Sequence, residues 1–198
     1  MSSPLVLLAR LHEHIEPIDR GSRYEDPLHD ALASAGLGAV TGGGSQLSET
    51  GEIEFADVEI EVADLQGALD LVVATLDGAG APVCSEILYD EQIVRQFGRQ
   101  ECLAIYLDGV SLPDEVYATL DFEATVGSID ALAGPQSYRG FWQGPEETGL
   151  FFFGSSADDM FANVEPLLRR LPIGQNARVV IGRGKVSMPS RSLRLPRH

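Results

Sequence analysis

No stretch of this sequence reaches the run of about 18 apolar residues that a membrane-spanning helix needs. Met1–Pro4 places no positive region ahead of an apolar one, so no secretion signal is visible and the expected compartment is the cytoplasm. Cysteine is nearly missing: Cys84 and Cys102 form neither a C-x-x-C pair nor a disulfide framework. Each sits in an apolar stretch, beside Val83 and Leu103, and reads as a small strand residue. No G-x-S-x-G elbow occurs, which removes the commonest signature of a serine hydrolase. The run Gly42-Gly43-Gly44 lacks the lysine and hydroxyl residue of a phosphate loop, so it is expected as a bulge or a close backbone approach. No cofactor motif is found, and no cofactor is expected.

Positive charge is also scarce, with 14 basic against 30 acidic residues. Residues 1–100 hold 5 basic and 18 acidic side chains, and residues 101–182 hold 4 and 12. Residues 183–198 reverse the balance with 5 basic and none acidic. An acidic body repels phosphates over a screening length of about 10 Å, which argues against nucleic-acid binding by the folded part. The same field accelerates the approach of a basic protein partner.

What the sequence does contain is ordinary for a globular protein: 44% apolar residues, enough to bury a core. Its organising feature is an order that occurs twice. Gly51 to Leu76 reads as a strand (Ile53 to Val62), an aspartate cap (Asp64) and an amphipathic helix (Leu65 to Leu76). Gly149 to Leu171 repeats that order, and Glu49-Thr50-Gly51 and Glu147-Thr148-Gly149 open the two copies.

Around these cores the pattern fills in. Pro4 to Ala9 is an apolar strand that continues by alternation to Ile15, and a turn-rich loop spans Pro17 to Glu25. Asp26 with Pro27 starts a helix that Gly36 ends. A strand over Ala39 to Leu47 and another over Ala81 to Leu88 complete a βαββαβ unit over residues 1–90. Residues 91–100 read as a linker. The second unit, residues 101–182, has strands at Glu101 to Leu107, Gln136 to Trp142, Leu150 to Phe153 and Ala177 to Ile181. Its helices are Asp121 to Leu132 and the one capped by Ser156, with Pro166 expected to kink the latter. Residues 183–198 read as a basic flexible tail. The fold class is therefore α+β, a tandem of ferredoxin-like units with antiparallel sheets and helices on one face.

Two groups of residues are candidates for function. Asp57, Glu59 and Glu61 alternate with Val58, Ile60 and Val62, which predicts an exposed acidic row, with a bulge near Ala56 resetting the parity of Ile53 and Phe55. Tyr138 and Trp142 share strand parity and could anchor a partner. Together these five residues form the expected partner-binding set, and the function they suggest is a non-enzymatic protein-binding module, such as an immunity or antidote-type inhibitor of a basic toxin or nuclease. One alternative is a small-molecule-binding regulatory protein. The other is a metal-dependent enzyme using His12 and His14, with Glu16, Asp19, Glu25 or His29 as further ligands, although no spacing motif ties these together. The plainer expectation for both histidines is an exposed polar strand face.

Overall fold

In the computed structural model, which describes residues 4–182 and 189–197, the chain divides into two units. The first runs to Gln100, apart from Ser48–Glu52, which group with the second.

In the first unit, β1 (Leu5–Leu11) is flanked by β3 (Ile53–Val62) and β4 (Ser85–Tyr89), both antiparallel to it. Alternation then puts Leu7, Ala9 and Leu11 on the same face as Val58, Ile60, Val62 and Ile87, all with at most 1% exposure. That face is covered by α2 (Asp26–Ala35), through Leu28 and Leu32, and by α3 (Leu65–Gly78), through Ala68, Leu69, Val72 and Leu76. Complete burial of one such leucine stabilises by about 1.5–3 kcal/mol, so these layers supply most of the driving force. Asp64 caps α3 by accepting from the amides of Gln66 and Gly67, and Gly36 ends α2 in the left-handed conformation. With β2 (Gly38–Leu47) and β5 (Gln92–Phe97) at the edges, the strand order is β2-β3-β1-β4-β5.

The second unit repeats this plan. β6 (Glu101–Asp108) is central between β8 (Glu147–Gly154) and β9 (Arg178–Gly182), and β7 (Tyr138–Gln143) and β10 (Pro189–Arg194) form the edges, giving β10-β9-β6-β8-β7. Three helices, α4 (Asp114–Ala118), α5 (Phe122–Ala133) and α6 (Ala157–Leu168), cover the face carrying Leu103, Ile105, Leu150, Phe152, Val179 and Ile181. Asp121 and Ser156 cap α5 and α6, and Pro166 falls in the last turn of α6. The opposite face of this sheet holds a separate buried cluster of Cys102, Ala104, Tyr106, Phe151, Phe153 and Val180. Both units thus have the ferredoxin-like βαββαβ order, each extended by a fifth strand.

Several expectations need correction. Within 91–100, β5 pairs with β4 rather than acting as a linker, and within 183–198, β10 pairs with β9 rather than hanging free. The rest of the tail, residues 183–188 and His198, lies outside the described residues. Pro17–Glu25 is helical, not a loop: α1 (Pro17–Arg20) passes through a π-helical turn, Gly21–Glu25, into α2, so Asp26 is no cap. Buried Tyr24 and the Arg20 guanidinium, which donates to Glu25 and to the Gly44 carbonyl, hold that turn. The register of β3 against β1 is unbroken through Ala56, and the irregularity lies one step earlier, between the pairs Gln46↔Phe55 and Leu47↔Ile53. Phe55 therefore stays on the acidic side of β3. Cys84 is exposed in a turn at φ +67°, outside β4, whereas Cys102 is a buried strand residue. Glu49-Thr50-Gly51 forms a turn before β3, while Glu147-Thr148-Gly149 begins β8 itself, so the repeat lives in strand order rather than in the tripeptide.

Candidate functional site

A concavity of the second unit lies where β6 ends. Its floor is made by Leu107 and Asp108 at the end of β6, with Gly109 beyond. Tyr117 on α4, Leu120, and Phe122 at the start of α5 form one wall. The turn from Gln143 to Thr148 between β7 and β8 forms another, and Ile173 of a short 3-10 turn (Pro172–Gly174) closes it, around a cavity of about 260 Å³. A second cavity of about 320 Å³ adjoins it, sharing Leu120 and Ile173 and lined further by Val116, Ala124, Thr125, Ser128 and Leu171. Apolar walls with a few hydroxyls and an amide are the usual make-up of a small-molecule site.

The carboxylates in these walls already have assignments. Asp108 accepts from the amides of Val110 (3.0 Å) and Ser111 (2.7 Å), and from the Ser111 hydroxyl and the Asn176 side-chain amide. Tyr117, whose oxygen takes the Leu112 amide at 2.9 Å, lies 3.5 Å from the same carboxylate. Burial alone would push the Asp108 carboxyl up, but the donors from Ser111, Asn176 and the two amides prevail and hold it well below the usual carboxylate range. Glu147 accepts from Arg178, whose guanidinium lies 3.7 Å over the Tyr106 ring, and Asp121 caps α5 at the Ala124 amide. Beyond these carboxylates the walls offer a ligand the Gln143 amide, the hydroxyls of Thr148 and Thr125, and apolar surface.

A folded pKa below the unfolded value near 3.9 means that Asp108 stabilises fully above that value and loses its contribution as pH falls toward the folded pKa. Asp108→Asn should therefore destabilise by roughly 2–3 kcal/mol at neutral pH, since hydrogen bonds to a charged acceptor are lost or inverted. Denaturant midpoints for parent and variant at neutral pH and at pH near 3 check this. The gap between them should narrow on acidification, and a constant gap would show that the charge is not what matters.

The residues proposed from sequence fall elsewhere. Asp57, Glu59 and Glu61 do share the face of the first sheet away from its helices, but they are half-buried, not exposed. Asp57 is held by Arg10 through two bonds of 2.9 Å, and that guanidinium stacks 3.9 Å over the Phe55 ring. Glu59 accepts the Thr41 hydroxyl at 2.9 Å. Tyr138 and Trp142 lie on opposite faces of the second sheet, because a register shift between Tyr138 and Gly140 inverts parity. Tyr138 packs on Phe152 and Trp142 on Tyr106, at 5.5 and 6.4 Å between ring centroids.

His12 and His14 are not on an exposed strand. β1 ends at Leu11, the Glu13 amide turns back to the Leu11 carbonyl, and both histidines are buried, at 8% and 2% exposure. His12 approaches Glu86 at 3.9 Å, and buried Glu13 accepts the Tyr24 hydroxyl at 2.5 Å. Among the described residues, no three or more His, Cys, Asp or Glu side chains are placed to share a metal ion.

The fold and the cavity define a tandem ferredoxin-like α+β protein with a pocket at the end of a central strand. No family model matches the chain, and no curated protein matches it. Among solved structures it is similar to the regulatory subunit of aspartate kinase from Thermus flavus, at 14% identity over 83% of this chain and 93% of that one, with a TM-score of 0.28. It is similar also to an unknown protein from Galdieria sulphuraria, at 11% identity over 90% and 96%, with a TM-score of 0.29. Likenesses this distant bear on no functional question. Among the described residues no helix is long and apolar enough to cross a membrane.

Proposed function

We propose that the chain is a small-molecule-binding protein of regulatory type, whose ligand is taken up between α4, α5 and the end of β6. The single observation that carries the reading is the pair of adjoining cavities, about 260 and 320 Å³, that share Leu120 and Ile173. Their combined size falls within the range of ligand pockets, and their walls mix apolar side chains with a few convergent polar groups. The ligand they suit is uncharged, with an aromatic or branched apolar body and one or two groups that hydrogen-bond to Gln143, Thr148 or Thr125. An anion would meet Asp108, Glu147 and Asp121 in the walls, and a cation would compete with the donors these carboxylates already hold. The lining residues include no histidine, cysteine or lysine, which supports binding without turnover.

A thermal-shift screen of the full chain against uncharged metabolites tests this. A ligand at a hundred times its dissociation constant adds about 2.7 kcal/mol and so a clear rise in melting temperature. Ala124→Phe, which projects a ring into the larger cavity from an exposed helix position, should erase the rise while leaving the unliganded melting temperature nearly unchanged. A shift that survives Ala124→Phe, or a screen with no shift, would sink the reading.

A further inference from the structure

Each sheet has two edge strands, β2 and β5 in the first and β7 and β10 in the second. Natural edges are blunted by charges, proline or bulges that discourage another strand from pairing. Three of these four carry charge or proline: β5 has Arg95, β7 has Arg139, and β10 has Pro189, Arg191 and Arg194. The fourth, β2, reads Gly-Ala-Val-Thr-Gly-Gly-Gly-Ser-Gln-Leu, with no charge and no proline in ten residues. It is exposed from Gly43 to Leu47 and half-buried from Gly38 to Gly42 apart from exposed Thr41, with register shifts at Thr41 and between Gln46 and Leu47.

The glycines give this edge a second property. Gly43 faces the helices, where a Cβ would meet the Asp57 carbonyl at 2.7 Å and the Glu25 carboxylate at 2.8 Å, so only glycine fits. Gly42 and Gly44 face the other way, and a Cβ on either would meet nothing within 4 Å. Gly42 is paired with Glu59 and Ala39 with Glu61, so Glu61 can be approached from beyond the edge across Ala39, and Glu59 across Gly42 beside Thr41, whose hydroxyl it accepts at 2.9 Å. Four of the five arginines in residues 1–100 are already committed, Arg10 to Asp57, Arg20 to Glu25, Arg95 to Asp70 and Arg99 to Asp77. None of these reaches Glu59 or Glu61.

We infer that the β2 edge is a docking site for an extended basic peptide, added as a further strand of the first sheet, a function independent of the pocket in the second unit. Arg20 holds the Gly44 carbonyl, so the ladder forms along Gly38 to Gly42. Strands lie about 4.8 Å apart, which puts β3 about 10 Å from the added strand. Arginine side chains at alternate peptide positions span that distance over Gly42 and Ala39 to meet Glu59 and Glu61, themselves about 7 Å apart along the strand. Main-chain bonds supply affinity, and the two carboxylates choose a basic sequence. A second copy of this chain is the disfavoured occupant, because β2 against β2 brings two acidic bodies together.

The probe is a blocked peptide that alternates arginine with threonine, labelled for fluorescence anisotropy, with a glutamate-for-arginine version as comparison. The full chain should bind the arginine peptide, more weakly as salt rises. Glu59→Gln with Glu61→Gln, which preserves shape, should weaken binding about tenfold. Gly42→Lys, whose side chain enters open space, should abolish it, and amide exchange over Gly38 to Gly42 should slow when peptide is present. Equal binding of the glutamate peptide, or no effect of the double glutamine variant, overturns the inference. So does a dimer in sedimentation that Gly42→Lys dissociates, which would give the edge to a second copy.

Discussion

Truncation after Gly182 should lower the melting temperature by roughly 10 °C, the effect of about 3–4 kcal/mol in a chain of this size. The reason is packing rather than charge. β10 pairs with β9 from Arg191↔Ile181 to Arg194↔Arg178, and the Leu195 amide then donates to the Ala177 carbonyl at 2.8 Å. Leu195 is buried at 3% exposure in the same core as Val179 and Ile181, and Leu193 packs against it. Removing one fully and one partly buried leucine costs about 3 kcal/mol before the lost ladder is counted. The ion pair of Arg191 with Asp158 at 2.9 Å is exposed and adds little. Truncation also turns β9, an apolar strand, into a bare edge, so the shortened protein should aggregate on heating. Calorimetry with light scattering on residues 1–182 and on the full chain decides it: equal melting temperatures would mean that β10 contributes nothing to the second unit.

The composition of that segment hid its role, and the same holds for β5. Gln-Ile-Val-Arg-Gln-Phe and Pro-Ser-Arg-Ser-Leu-Arg alternate poorly and carry the arginines that edge strands use to stay soluble, so each resembles a linker or tail. Their strand character comes from partners at β4 and β9, which local pattern does not announce. The central strands and the capped helices were legible for the opposite reason. Asp64, Asp121 and Ser156 declare their helices within three residues, and Val58, Ile60 and Val62 alternate because one face of β3 is buried. Parity failed where a bulge intervened. Gly140 at φ +133° was the available sign that Tyr138 and Trp142 would part company.

The acidic row and the cavity differ in the same way. Asp57, Glu59 and Glu61 were found by alternation, but Arg10 lies on a neighbouring strand, so its neutralisation of Asp57 was invisible until β1 and β3 were paired. The cavity walls are scattered from Leu107 to Ile173 and only the fold assembles them. The one local clue was Asp108 followed by Gly109 and Ser111, a spacing at which an aspartate bonds the amides after it. For His12 and His14 the alternation of β1 was carried on to Ile15, past the turn at Leu11 where the strand ends.

Gly98→Ala should destabilise the first unit by at least about 3 kcal/mol, although its neighbourhood reads in sequence as a linker, where such a change is close to neutral. Gly98 has φ +98°, a region that alanine enters only at a cost. A Cβ there would stand 1.7 Å from the Pro82 carbonyl oxygen, a contact that no side-chain rotation relieves. The backbone cannot easily retreat either. The Gly98 amide donates to Asp77 at 2.8 Å, the amides of Arg99 and Gln100 both donate to the Ala81 carbonyl, and the Val83 amide returns to the Gln100 carbonyl at 2.9 Å. Strain at Gly98 is therefore passed to the end of α3 and the start of β4. Gly78→Ala is the matched comparison: it sits in the last turn of α3, its Cβ would meet nothing within 4 Å, and alanine there should be neutral or stabilising by about 0.5–1 kcal/mol. Urea midpoints for the two variants separate the cases, since a pinned crossing gives a large loss for Gly98→Ala alone. Equal midpoints would mean that residues 98–100 behave as a slack connection after all.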